Sequence, residues 1–317
     1  MYEENVKNKD FSDRLLDAID EKQSRVVVGL DPDYDKIPSC FKNAGRFQLS
    51  EIETIYDFNR CIIDVVSPFV IAVKPQIAFY ERYGISGLYV FDRTVDYAKS
   101  VGLIVIGDCK RNDIGNTAKA YADAHIGGTW LDLDAVTINP YLGSDGVYPF
   151  LDKVRDGKKG VFVLVKTSNP SSGQIQDLVL NGGCNRLYEH VGCLVDSWGS
   201  DYVGERGFSS VGAVVGATFP EHANGLRDLM PRTIFLVPGY GAQGASGKDL
   251  VSYFNAAGYG AIVSASRSII YPHVESGSSD FDISFFVFRE LVRRRVTSMI
   301  EDVNTAVRSV DADSKSQ

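Results

Sequence analysis

The stretch Leu103-Ile104-Val105-Ile106-Gly107-Asp108-Cys109-Lys110-Arg111-Asn112-Asp113-Ile114-Gly115-Asn116-Thr117 sets a short apolar run against a sudden concentration of charge. A β-branched run of this length, ending at glycine, reads as a strand buried on both faces, and the segment that follows is compatible with a helix. The pair is one βα unit. Asp108 and Lys110 stand two apart at the strand's end, so a strand that persists that far projects both to one side. Carboxylates placed beside an ammonium favour its charged form and make it a poor base but a well-placed acid. The same residues also permit a blander arrangement, in which Asp113 caps the next helix beside a solvated ion pair.

Working outward, seven further runs repeat the unit: Arg25–Leu30, Phe69–Val73, Ala135–Ile138, Val161–Val165, Val211–Val215, Ile234–Val237 and Ala261–Val263. Amphipathic segments such as Glu51–Val66 and Leu88–Ser100 lie between them, their apolar positions recurring at helical spacing. This alternation predicts an α/β fold with a parallel sheet. Phe11–Glu21 reads as an extra N-terminal helix. Asp33–Leu49 and Pro170–Gly183 are long and rich in Gly, Ser, Asn or Pro, and read as loop insertions. Residues 1–307 are expected to form one catalytic domain, and residues 308–317 a polar tail.

Eight units fit a closed TIM (β/α)₈ barrel, with a doubly wound open sheet as the alternative. The positions of the polar residues favour the barrel. Asp31, Lys74, Asp108, Asn139, Lys166–Asn169, Thr218, Pro238–Gln243 and Ser264–Arg267 each follow a different strand. Barrel enzymes gather their active-site residues at these C-terminal ends, whereas an open sheet uses one crevice. The glycine-rich loop Pro238–Gly244 and Arg267, one unit later, stand where barrels bind phosphate. Glycines serving turn geometry alone are the simpler alternative.

Composition narrows the function classes. The 317 residues are 44% hydrophobic, enough for a large core, and the net charge of -8 offers no basic field for an extended nucleic acid. No apolar run is long enough to span a bilayer, and Met1–Asp10 is not a secretory signal. Five cysteines without CxxC spacing argue against a disulfide framework or zinc ribbon and fit a cytoplasmic setting. The four histidines are far apart, so no metal site is expected. Arg293-Arg294-Arg295 reads as the solvated face of a C-terminal helix, and Asp132-Leu133-Asp134, which precedes a strand, falls on the stability side of a barrel.

The charged run resembles the Asp-x-Lys-x-x-Asp-Ile-x-x-Thr signature of the orotidine 5′-monophosphate decarboxylase family. Gly29-Leu30-Asp31-Pro32, Val73-Lys74-Pro75, Thr137–Gly143, Lys166–Pro170 and Pro238–Gly244 fall in that family's order, and Arg267 sits at its phosphate-binding arginine. The likeness is to the family's longer subgroup and covers roughly Asp10 to Arg267. It implies a decarboxylase acting on a phosphorylated pyrimidine nucleotide without a cofactor. It further implies Lys110 as proton donor beside Asp108, and Lys74 and Asp31 on the ribose hydroxyls. Ser168 would contact the pyrimidine, and Gln243 and Arg267 the phosphate, with Asn139 and Pro238 also at the substrate. Asp113 and Thr117 would reach into a neighbouring subunit's site, making the protein a homodimer with shared active sites. A magnesium-dependent sugar-phosphate enzyme of the same barrel group, or a silent nucleotide-binding barrel, are the alternatives.

Overall fold

Alternation along each strand decides which side chains meet. A computed structural model describes residues 9–42, 50–181, 185–241, 244–275 and 283–314. In it the eight runs form β1 (Val26–Leu30), β2 (Ala72–Pro75), β3 (Ile104–Arg111), β4 (Ala135–Ile138), β5 (Gly160–Lys166), β6 (Ser209–Val215), β7 (Thr233–Pro238) and β8 (Ala261–Ala265). Each pairs in parallel with the next, and β8 pairs with β1, so the sheet is closed and the open-sheet alternative is excluded. Successive side chains point to opposite faces of a strand. Val27, Ala72, Ile104, Ile106, Ala135, Phe162, Val214, Leu236 and Ile262 therefore fill the barrel interior. Val26, Val28, Val73, Val105, Val136, Val163 and Val263 face the surrounding helices.

The outer helices are α1 (Phe11–Lys22), α2 (Glu51–Val66), α3 (Gly84–Ser100), α4 (Gly115–Ile126), α5 (Ser144–Gly157), α6 (Leu187–Gly199), α7 (Ala223–Leu229) and α8 (Phe285–Ser314). Helix α1 is the expected extra helix, and its position explains its composition. Phe11, Leu15, Leu16 and Ile19 join the interior cluster, plugging the barrel at the strands' N-terminal ends. Phe11 meets Phe162 edge-on at 6.0 Å. Asp13 accepts the backbone N–H groups of Glu205 and Arg206, both at 2.9 Å, while Arg14 pairs with Asp134 at 2.7 Å. The Asp132–Asp134 segment is thus spent on ion pairs, Asp132 binding Lys99 and Lys159.

Three expectations shift. Strand β2 starts at Ala72 rather than Phe69 and runs through Lys74, because a charge at the mouth of a barrel does not end a strand. Helix α3 begins at Gly84, one turn before Leu88. Helix α8 continues past Arg308 to Ser314, with Val303, Ala306, Val307 and Val310 against the core. Arg293 and Arg294 do lie on its solvent face, both paired with Glu290. Among the described residues no helix is long and apolar enough to cross a membrane.

Candidate active site

The interior alternation that places Ile104 and Ile106 in the core carries on to Asp108 at the strand's top, and from Ala72 it reaches Lys74. Both charges consequently enter the barrel mouth. Lys74 Nζ donates to Asp108 Oδ2 at 2.7 Å, and Lys110 Nζ donates to the other oxygen, Oδ1, at 2.5 Å. The carboxylate and Lys74 are buried, while the Lys110 side chain is 44% exposed. This is not a solvated ion pair. Burial by itself would push the Asp108 carboxyl up, but Lys74 and Lys110 outweigh it and hold the group well below the usual carboxylate range. Burial likewise opposes the charge on Lys74, yet Asp108 and Asp31 overcome it and keep the ammonium charged.

Strand β3 does not persist regularly to Lys110. Its register against β4 shifts between Gly107 and Arg111, and Lys110 adopts a left-handed backbone with φ 46°. For a non-glycine residue that conformation costs about 1–2 kcal/mol. Thr137, the inward residue two beyond Ala135 on β4, compensates. Its hydroxyl accepts the N–H groups of both Cys109 and Lys110 at 3.0 Å and donates to Asp108 Oδ1 at 3.1 Å. In the sequence, Thr137 is signalled only by its place on the inward side of an otherwise apolar strand.

Asp31, at the end of β1, faces the same charges. Burial pushes its carboxyl above the ordinary value, with Lys74 opposing, and its Oδ1 has no hydrogen-bond partner among the described residues. Gly29 lets the chain pass close to Ser266 there, since a Cβ would come within 2.7 Å of the Ser266 Cβ. Behind the array, Arg111 donates to His125 Nε2 at 3.2 Å and pairs with Glu81. Burial and Arg111 lower the His125 pKa to about 4.

A cavity of about 460 Å³ opens over these residues, lined by Lys74, Asp108, Lys110, Thr137, Ser168 and Pro238, with Thr167, Asn169 and Gln176 on its wall. Ser168 follows β5 and is closely packed: a Cβ on Gly216 would lie 2.8 Å from it, and its carbonyl accepts from Thr218 at 3.2 Å. Asn139 does not line the cavity. Its side-chain carbonyl accepts the Tyr141 N–H at 3.0 Å and so shapes the turn after β4.

Arg267 begins a one-turn helix after β8, exposed and without an ion pair among the described residues. The β7 loop approaches it, with Gly241 at φ 72° lying against Ser268. Gln243 lies outside the described residues. Asp113 and Thr117 do not line the cavity within one chain. Asp113 accepts the Ile114 N–H at 2.8 Å, but the helix it precedes is capped by Ile114, so the alternative Asp113 cap is not formed. Ile114, between these two residues, and Tyr141, Leu142 and Tyr148 of the next unit are exposed, interspersed with exposed Asn112, Asn116, Lys119 and Asp145. Among the described residues no group of three or more His, Cys, Asp or Glu is gathered as a metal-ligand set.

The model of the orotidine 5′-phosphate decarboxylase / HUMPS family matches residues 24–272. An orotidine 5′-phosphate decarboxylase of Caldicellulosiruptor bescii is 40% identical over 303 residues, covering 92% of this chain and 99% of the relative. One from Petrotoga mobilis is 42% identical over 295 residues, covering 92% and 98%. The solved structure of the Leishmania donovani OMP decarboxylase superposes with a TM-score of 0.70 at 28% identity, covering 94% of this chain and 98% of that one.

Proposed function

From the premise that this chain belongs to the orotidine 5′-phosphate decarboxylase / HUMPS family, we propose that it converts orotidine 5′-monophosphate to uridine 5′-monophosphate, the last step of de novo pyrimidine nucleotide synthesis, in the cytoplasm. The observation that carries the reading is the Lys74–Asp108–Lys110 array at the floor of a nucleotide-sized cavity.

Departure of CO₂ leaves an electron pair on ring carbon C6. The Lys110 ammonium, fixed by Asp108 and by the Thr137-supported backbone, stabilises that charge where it develops and delivers the proton to C6. One C–C bond breaks and one C–H bond forms, so the reaction consumes a proton and requires no oxidant or reductant. Asp108 faces the substrate carboxylate and keeps both lysines in place. Lys74 and Asp31 take the ribose hydroxyls, which supplies a partner for the unsatisfied oxygen of Asp31. Ser168 meets the pyrimidine, with Pro238 lining the same cavity, and Arg267 with Gln243 takes the phosphate. Binding energy from the remote phosphate serves the chemical step.

The functional unit is a homodimer. Asp113 and Thr117 lie apart from the cavity of their own chain, beside the exposed Ile114, and serve the partner's site. The test is release of CO₂ from orotidine 5′-monophosphate in the presence of EDTA, followed by mixing inactive Lys110→Ala and Asp113→Ala proteins. Turnover that survives EDTA and partial recovery in heterodimers are expected. No CO₂ from the intact protein would overturn the activity; no recovery in verified heterodimers would overturn the shared site.

A further inference from the structure

The segment after β5 was legible only as an insertion, yet it returns a side chain to the cavity. A one-turn helix, Gly173–Gln176, places Gln176 on the cavity wall beside Ser168. Its carboxamide is clamped at both ends to one residue. Oε1 accepts the backbone N–H of Thr167 at 3.0 Å, and Nε2 donates to the Thr167 hydroxyl at 2.7 Å. That hydroxyl in turn donates to Asn169 Oδ1 at 2.7 Å. The next residue, Asp177, anchors the segment independently through an ion pair of 2.6 Å with Lys166, whose ammonium is fully buried against Tyr188 and Phe219.

The clamp has a chemical consequence. A backbone N–H can only donate, so the end of the amide that meets it must be the oxygen, and the carboxamide cannot flip. A carboxamide has two donors and two acceptor sites. Thr167 takes the oxygen and one N–H, so the donor left on this cavity-lining residue is the second N–H, while the remaining lone pair points to the other side of the amide. A uracil-type ring carries at C4 a carbonyl that accepts such an N–H. A cytosine ring carries there an amino group that only donates, and the locked amide cannot turn its oxygen to meet it.

We infer that Gln176 is a specificity-determining residue whose free N–H reads the C4 carbonyl of the pyrimidine, with the Thr167 clamp fixing its polarity. This rests on the proposed reading of the cavity as a pyrimidine nucleotide site.

The experiment measures binding of UMP and CMP by calorimetry, and steady-state turnover of orotidine 5′-monophosphate, in the intact protein and in Gln176→Ala and Gln176→Glu. The glutamate variant keeps the shape and the acceptor for Thr167 but removes the N–H, and so guards against misfolding of the alanine variant. The intact protein is expected to prefer UMP. Both variants should lose about tenfold in UMP affinity, the size of one hydrogen bond, with a smaller loss for CMP, so that the preference narrows. KM should rise by a similar factor, with kcat held within about threefold. UMP binding within about twofold of the intact protein in both variants would overturn the inference. So would equal losses for UMP and CMP, which would make Gln176 a structural brace. Should the intact protein bind UMP through Gln176 but release no CO₂, the activity fails and the reading of the ring edge stands.

Discussion

At the N-terminal end of the barrel Asp13 receives two backbone N–H groups and Asp134 is taken up by Arg14 and by the Val105 N–H. At the C-terminal end Asp108 is taken up by Lys74 and Lys110, which are themselves at the floor of a cavity. Both ends bury carboxylates, but the lower ones close a plug of Phe11, Leu15, Leu16 and Ile19, whereas the upper ones face space for a ligand. Asp31 is the sharpest contrast, since one of its oxygens is shielded and unpartnered. Charge at one end holds the barrel shut; at the other it lines a cavity. Stability and activity should therefore respond to different ends of the same strands.

The largest effect on stability is expected from Phe11→Ala. It empties the contact with Phe162 and Gly160 under the barrel and should cost about 3–5 kcal/mol in urea unfolding. Where the variant remains folded, turnover should be unchanged. A matching loss of kcat at low temperature would break the division between the two ends.

A smaller effect of opposite sign is expected above. Because burial raises the Asp31 carboxyl above its ordinary value, the ionised form opposes folding. Asp31→Asn should raise stability by about 0.5–2 kcal/mol while weakening substrate binding. The sign follows from linkage: a carboxyl with a raised folded pKa destabilises above that pKa, and the penalty fades as pH falls through it to the unfolded value near ~3.9. The gain should accordingly be present at neutral pH and vanish in acid. A stability loss at pH 7, measured by the urea midpoint, would show Asp31 to be a brace.

The contrast also explains what could be read from sequence. The interior and outer faces of the strands were visible as continuous apolar runs, and the order of polar residues after them pointed to the barrel. Strands β2 and β3 run beyond their apolar stretches, because Lys74 and Asp108 look like strand breakers until the inward face is known to be wet there. A polar residue after a strand, such as Asn139, is more conspicuous in sequence than one within it, such as Thr137. Gln176 carried no local signal. Its position depends on Asp177 finding the buried Lys166, a contact no periodicity announces. The kink at Lys110 was invisible for the same reason, being stabilised by a hydroxyl from the next strand.

The central claim is that the upper array performs the chemistry, and Lys110→Ala tests it most directly. Its side chain is half in solvent and Asp108 retains Lys74, so the variant should fold and bind UMP as the intact protein does. Single-turnover release of CO₂ from orotidine 5′-monophosphate should fall by about 10²–10³-fold or more, the scale of losing a group preorganised for the transition state. Near-normal CO₂ release with Lys110 removed would contradict the account.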